Sequence, residues 1–211
     1  MKRWALFLGV TLLALACAAT KGPDPKDMVL GPEDIPPGFN MDEAGTGVLT
    51  NEKLAGDEGD TRELLRRLQS WGRRTGYGVT FVRDLDKASP ATALSIQNLV
   101  SVYKDEEGAQ KAFQYPSTNP KQEATSLPVP TIGHEAKAYR STQKINDLEI
   151  AHILVEFRYG NLVSQVATIS PAPFASVEEA LGYARIVLGH MKGLPPEKGP
   201  REFALAAAQA K

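Results

Sequence analysis

Apolar and polar residues alternate along this 211-residue chain with two different periods, and each change of period marks an element. In Tyr77-Gly-Val-Thr-Phe-Val-Arg83, Tyr77, Val79 and Phe81 recur at every second position, the period of a half-buried strand. A second strand runs from about Ala93 to Tyr103, with Leu94, Ile96, Val100 and Val102 on one face and Asn98 interrupting them. The strongest β pattern is Leu148 to Arg158, where Ala151, Ile153, Val155 and Phe157 share a side and Ile150, His152, Leu154 and Glu156 share the other. Leu162 to Ile169 follows after Tyr159-Gly160-Asn161, a tight hairpin. Another strand is entered within Thr131 to Arg140, and a short one falls between Phe39 and Leu49.

Three segments change to the helical period. Asp60 and Glu63 have the spacing of a capping box, ahead of Leu64, Leu65, Leu68 and Trp71 on one face, with Gly72 as the stop. Asp105 caps a second helix that turns Ala109, Ala112 and Phe113 inward. Ser176 pairs with Glu179 as a capping box for the third, whose face is Ala180, Leu181, Ala184, Val187, Leu188 and Met191, stopped by Gly193 and Pro195-Pro196. Asp84 to Pro90 is a turn, and Tyr115 to Pro130, with four prolines, is the longest stretch without an element. Strands joined by short turns with helices between them predict an α+β fold: an antiparallel sheet packed with about three helices.

The chain begins differently. Lys2 and Arg3 precede Trp4 to Ala16, thirteen residues without a charge. A helix of that length spans about 20 Å, short of the roughly 30 Å hydrocarbon layer, so the pattern reads as a signal peptide. Leu13-Ala14-Leu15-Ala16-Cys17 resembles the lipobox of bacterial lipoproteins, although Ala14 stands where that family prefers Leu. The resemblance implies cleavage before Cys17 and attachment of acyl chains such as palmitate to its thiol. Cys17 is the chain's one cysteine, and an exported protein seldom keeps a lone free thiol. A secretory cut near Ala16 or Ala19, or an uncleaved anchor, are the alternatives. Several acyl chains at roughly 0.8 kcal/mol per buried CH₂ would hold the chain at a membrane. Residues 1–16 are thus the expected signal peptide and 17–30 a lipidated terminus and flexible tether. Residues 31–196 are the single domain and 197–211 a C-terminal tail.

Cleavage leaves 195 residues, enough for one core without disulfides or metal. Removing Lys2 and Arg3 takes the basic residues from 24 to 22 against 25 acidic ones, a formal −3. That balance gives no reason to expect nucleic acid as a partner.

Candidate chemistry is sparse. His134, His152 and His190 are too widely spaced for a compact ligand set, and no cofactor or metal is expected. No phosphate loop, nucleophile elbow or H-E-x-x-H motif is present. His134-Glu135 follows a glycine and a long loop, and a hydrolase would use His134 with a carboxylate. Arg62, Arg66, Arg67, Arg73 and Arg74 make the most basic stretch, which can face anionic headgroups or be a solvated helix face. The candidate binding surface is therefore His134, Glu135, Arg66, Arg67, Arg73 and Arg74.

Pro36-Pro37-Gly38-Phe39, Trp71-Gly72, Gly76-Tyr77, Val100-Ser-Val-Tyr103, Ile132-Gly133-His134-Glu135-Ala136 and Phe157-Arg-Tyr-Gly-Asn-Leu-Val163 resemble, in this order, a set of uncharacterised bacterial lipoproteins. Their layout is similar to the fold of the photosystem-associated extrinsic protein PsbP and the nuclear transport factor Mog1. The resemblance covers about residues 35–192 and consists of turns and core positions. It implies a scaffold or adaptor and carries over no functional residue. The expected function is a lipid-anchored binding or accessory protein of the cell envelope, on the extracytoplasmic face of the cell membrane or on the outer membrane. Its partner and oligomeric state stay open. The alternatives are a small-molecule or lipid carrier, which needs an apolar cavity between sheet and helix, and the His134 hydrolase.

Overall fold

The computed structural model describes residues 24–56, 61–84, 93–115 and 124–194. The signal peptide, Cys17 and the C-terminal tail lie outside these residues, as do the Asp60 cap, most of the Asp84 to Pro90 turn and residues 116–123. Among the described residues, eight strands, all paired antiparallel, form one sheet: β1 (Phe39–Met41), β2 (Gly47–Val48), β3 (Arg73–Arg83), β4 (Ser95–Tyr103), β5 (Ala124–Leu127), β6 (Glu135–Ile145), β7 (Leu148–Tyr159) and β8 (Leu162–Pro171). Their spatial order is β1-β3-β4-β8-β7-β6-β5, with β2 also on β3. The helices are α1 (Asn51–Ala55), α2 (Thr61–Ser70), α3 (Glu106–Gln114) and α4 (Val177–Met191). The α+β class and the antiparallel sheet agree with the hydrophobic pattern.

α4 covers one face of the sheet. Ser176 Oγ accepts from the Glu179 amide at 3.3 Å, so half of the expected capping box forms. The Glu179 carboxylate accepts from the Ala93 backbone instead of returning to Ser176, and burial raises its pKa. Ala180, Leu181, Tyr183, Ala184 and Val187 pack against Ile153, Val155, Phe157 and Val166, each at most 1% exposed. Burying each large aliphatic side chain contributes about 1.5–3 kcal/mol, so this layer is the main source of stability.

The same face is completed by an unexpected element. Residues Pro25 to Leu30, expected to be tether, pack onto β3, β4 and α4, with Met28, Val29 and Leu30 buried. The domain therefore begins before residue 31. Asn98 explains how: its Oδ1 accepts from the Leu30 amide at 3.1 Å, and its Nδ2 donates to Ser164 Oγ and the Gln165 carbonyl. The residue that interrupts the apolar face of β4 is thus the docking point of the entering chain. Asp34 is also buried there and accepts from the Gly31 amide at 2.7 Å.

Three further elements differ from expectation. The stretch from Phe39 to Leu49 forms two short strands, and Thr50 Oγ1 caps the short helix α1. β3 starts at Arg73, four residues before its alternation becomes visible. β5 occupies part of the stretch read as element-free; Ala-Thr-Ser-Leu has no period of its own and is fixed by pairing with β6.

Among the described residues, the other face is covered along β3, where Gly45 and Leu49 lie against Thr80 and Gly78, and at one end by a helix. There α3 lies on β4, β7 and β8, enclosing Tyr103, Ala109, Phe113 and Val163, with Trp71 against them. Asp105 caps α3 as expected, its Oδ1 accepting from the Gly108 amide at 2.9 Å.

Candidate functional site

The six residues read as a binding surface do not form one site. Gly133, at φ +67, brings the chain so close to β7 that a Cβ would lie 2.4 Å from the Arg158 carbonyl. His134 then leaves the sheet: its Nδ1 accepts from the Gly160 amide at 3.4 Å and its ring packs on Tyr159 at 5.2 Å between centroids. Glu135, the first residue of β6, turns the other way and pairs with Arg158 at 2.7 Å. His134 and Glu135 are therefore structural neighbours with separate partners, and no hydrolytic pair is assembled from them.

The arginines separate too. Arg66 and Arg67 both pair with Glu63 on α2, and Arg67 lies 5.1 Å over the Tyr115 ring. Arg74 is exposed on β3. Arg73 is 4% exposed, which corrects its reading as part of a surface patch. Its side chain lies flat over Gly76, where a Cβ would meet Nη2 at 2.3 Å. It donates to Ser101 Oγ, the Leu49 carbonyl and Asn51 Oδ1, each at 3.0 Å, and so ties α1 to the sheet. Burial lowers its pKa, opposed by Tyr103 and Glu52. The Tyr103 hydroxyl nearby is pushed up to about 12, chiefly by burial.

Under α3 lies an ion pair. Glu156 is 1% exposed; Lys137 Nζ stands 3.5 Å from its Oε1, and Gln165 donates to its Oε2 at 3.3 Å. Lys137 also donates to the carbonyls of Phe113 and Tyr115, so one ammonium neutralises a buried carboxylate and caps the C-terminus of α3.

His152 and His190 have structural partners. His152 Nε2 lies 3.2 Å from Gln143 Nε2, and burial lowers its pKa. His190 Nδ1 lies 3.1 Å from the Val29 carbonyl and Nε2 3.6 Å from Asp34 Oδ2. Among the described residues, no group of three His, Cys, Asp or Glu could hold a metal, and no helix is long and apolar enough to cross a membrane.

What the topology does assemble is a surface. Among the described residues, the second face of the sheet is open beyond α3 except where Gly45 lies on Thr80 and where the Ser95 hydroxyl is buried. Strand register aligns Thr80, Gln97, Ala167, Leu154, Tyr139 and Ser126 in one row across six strands. The next row is Val82, Ser95, Ile169, His152, Ser141 and Ala124. None of these twelve residues is Asp, Glu, Lys or Arg, and none is buried. At the chain's 23% charged content, about three charges would fall on such a set. The face continues down the β6–β7 hairpin through Gln143–Ile150 to Ile145–Leu148, whose apolar members are 50% and 49% exposed. A shallow concavity of about 550 Å³ lies at this tip, lined by Ile145, Asn146, Asp147, Leu148 and Ile150. It is outside the sheet–α4 layer in which a carrier's cavity was expected.

The surface was half visible in sequence. Ile150, His152, Leu154 and Glu156 could be assigned to one side of one strand, but the rows exist only through register with β3, β4, β5, β6 and β8.

No protein-family model matches the chain, and no curated protein does. The extracellular domain of PknH from Mycobacterium tuberculosis is similar in structure at a TM-score of 0.45 and 10% identity, over 74% of this chain and 81% of that one.

Proposed function

We propose that this chain is an exported accessory protein, held at a membrane by lipid on Cys17, that works by contacting protein through the uncharged face of its sheet. The observation that carries the contact is the pair of uncharged rows from Thr80 to Ser126 and from Val82 to Ala124. The solvated side of an antiparallel sheet is ordinarily polar and charged, whereas the centres of protein interfaces are depleted of charge. Tyr139, Leu154, Ile169 and Val82 supply apolar area, and the Ser, Thr and Gln side chains supply groups that both donate and accept.

The anchor rests on the N-terminal pattern. Its geometry suits the surface. Val29 lies beside His190 near the α3 end, so the chain enters the domain there. The seven Cα–Cα steps from Cys17 to Asp24 reach at most about 25 Å. β7 is twelve residues long, which places the Ile145–Leu148 tip about 40 Å from the α3 end. A bilayer met at the α3 end leaves the tip and the open rows free for a protein.

Fractionation of cells expressing the parent and Cys17→Ser tests the anchor. The parent is expected in the membrane fraction and the variant in the soluble exported fraction; equal distribution of the two contradicts lipid attachment.

A further inference from the structure

The open face has a property that self-association requires and other partnerships merely permit. In a two-fold contact the same patch serves both copies, so residues near the axis meet their own counterparts. A charged residue there faces its like, which costs several kcal/mol. A different partner would tolerate charges by presenting opposite ones. The two rows carry no formal charge at any of twelve positions, although charged residues stand on the same strands at Lys137, Glu156 and Arg158. We infer that this face pairs with its counterpart on a second copy of the chain, stacking two sheets about a two-fold axis. The inference rests on the reading of the face as a protein contact surface.

The dimensions agree. Six strands about 4.8 Å apart give a width of about 29 Å, and the two rows, about 7 Å apart, give a depth of about 14 Å across it, with the exposed Ile145–Leu148 pair beyond them on two strands. The projected area is on the order of 500 Å², within a factor of two of the roughly 800 Å² of accessible surface that each partner contributes to a standard interface. Stacked sheets lie about 10 Å apart. α3 already fills that layer at one end of the face, so overlap is confined to the rows beyond it. Gln97, Ser141 and Tyr139 can each donate to and accept from an identical partner, while Thr80 Oγ1 already donates to the Gly45 carbonyl.

The test uses the full chain purified in the form its host produces, with its mass followed by light scattering and any detergent contribution subtracted. Ala167 lies mid-row between Gln97 and Leu154 on a half-open surface. The parent is expected to pass from one copy to two between about 1 and 100 µM. Ala167→Glu and Ala167→Lys, each with parental circular dichroism, are expected to raise the dimer midpoint at least tenfold, and an equimolar mixture of the two to restore it. If either variant fails to fold, Gln97→Glu and Gln97→Lys at an exposed position replace the pair. A parent of one copy throughout, or charged variants that dimerise like the parent, overturns the inference. A monomeric parent whose face variants lose crosslinks to a different protein in cells also overturns it, while leaving the contact-surface reading in place.

Discussion

The Leu30 amide donates to Asn98 Oδ1 at 3.1 Å, joining residues 68 positions apart. This bond fixes the entering chain to the centre of β4 and places Met28, Val29 and Leu30 in the core. Replacing Asn98 by Leu leaves the Leu30 amide and Ser164 hydroxyl without this partner. A buried unsatisfied group costs about 1–3 kcal/mol, so Asn98→Leu is expected to lower the urea midpoint accordingly. Exchange of the Leu30 amide should accelerate more than that of amides in β7; unchanged exchange would remove Asn98 from this role.

Asp34 gives the same segment a pH dependence. Burial is the main influence and raises its pKa above 3.8, while the Gly31 amide and His190 lower it and Glu33 adds to the rise. A folded-state pKa above the unfolded one means that the contribution of Asp34 is complete below pH 3.8 and is lost as pH rises through the folded value. Asp34→Asn keeps an acceptor for Gly31 without a titrating group. The stability of the parent minus that of Asp34→Asn is therefore expected to fall as pH rises out of the acid range. A difference that rises over that interval would show that the His190 pairing outweighs burial.

His152 has the opposite sign on the pH axis. Burial lowers its pKa below 6.5, so the fold favours the neutral ring. Stability linked to His152 is present above pH 6.5 and declines as pH falls toward the folded value. His152→Gln should flatten this part of the stability profile, as read by urea denaturation at a series of pH values. A parallel profile would mean that the ring titrates alike in both states.

Lys137 and Glu156 test the support for α3. Lys137→Met removes the ammonium beside a carboxylate that is 1% exposed and also removes the cap on the Phe113 and Tyr115 carbonyls. Loss of one partner of a buried pair costs about 3–5 kcal/mol. The double variant Lys137→Met, Glu156→Gln should recover part of that loss; a double variant as unstable as the sum of the singles would show no coupling.

The sequence made the core legible where side chains reported their own burial. Ala151, Ile153, Val155 and Phe157 are each at most 1% exposed, as their alternation implied. Ser176 and Asp105 cap the helices their spacing indicated. What failed was local signal where tertiary contact decides. Pro25 to Leu30 looked like tether because its proline and charges carry no period, yet Asn98 supplies the bond that orders it. Arg73 looked exposed because its neighbours are charged, yet Gly76 leaves room for its guanidinium against the sheet. The uncharged rows join residues from six strands, and no window of sequence contains them.

The most direct test of a contact surface is photo-crosslinking from within it in living cells. A photoreactive residue at Leu154, at the middle of the first row, is expected to yield an adduct with protein, whether a second copy or another chain. The same residue at Arg185, exposed on the outer side of α4, is expected to yield little. Equal or absent protein adducts from the two positions, with both chains folded and exported, would contradict the account.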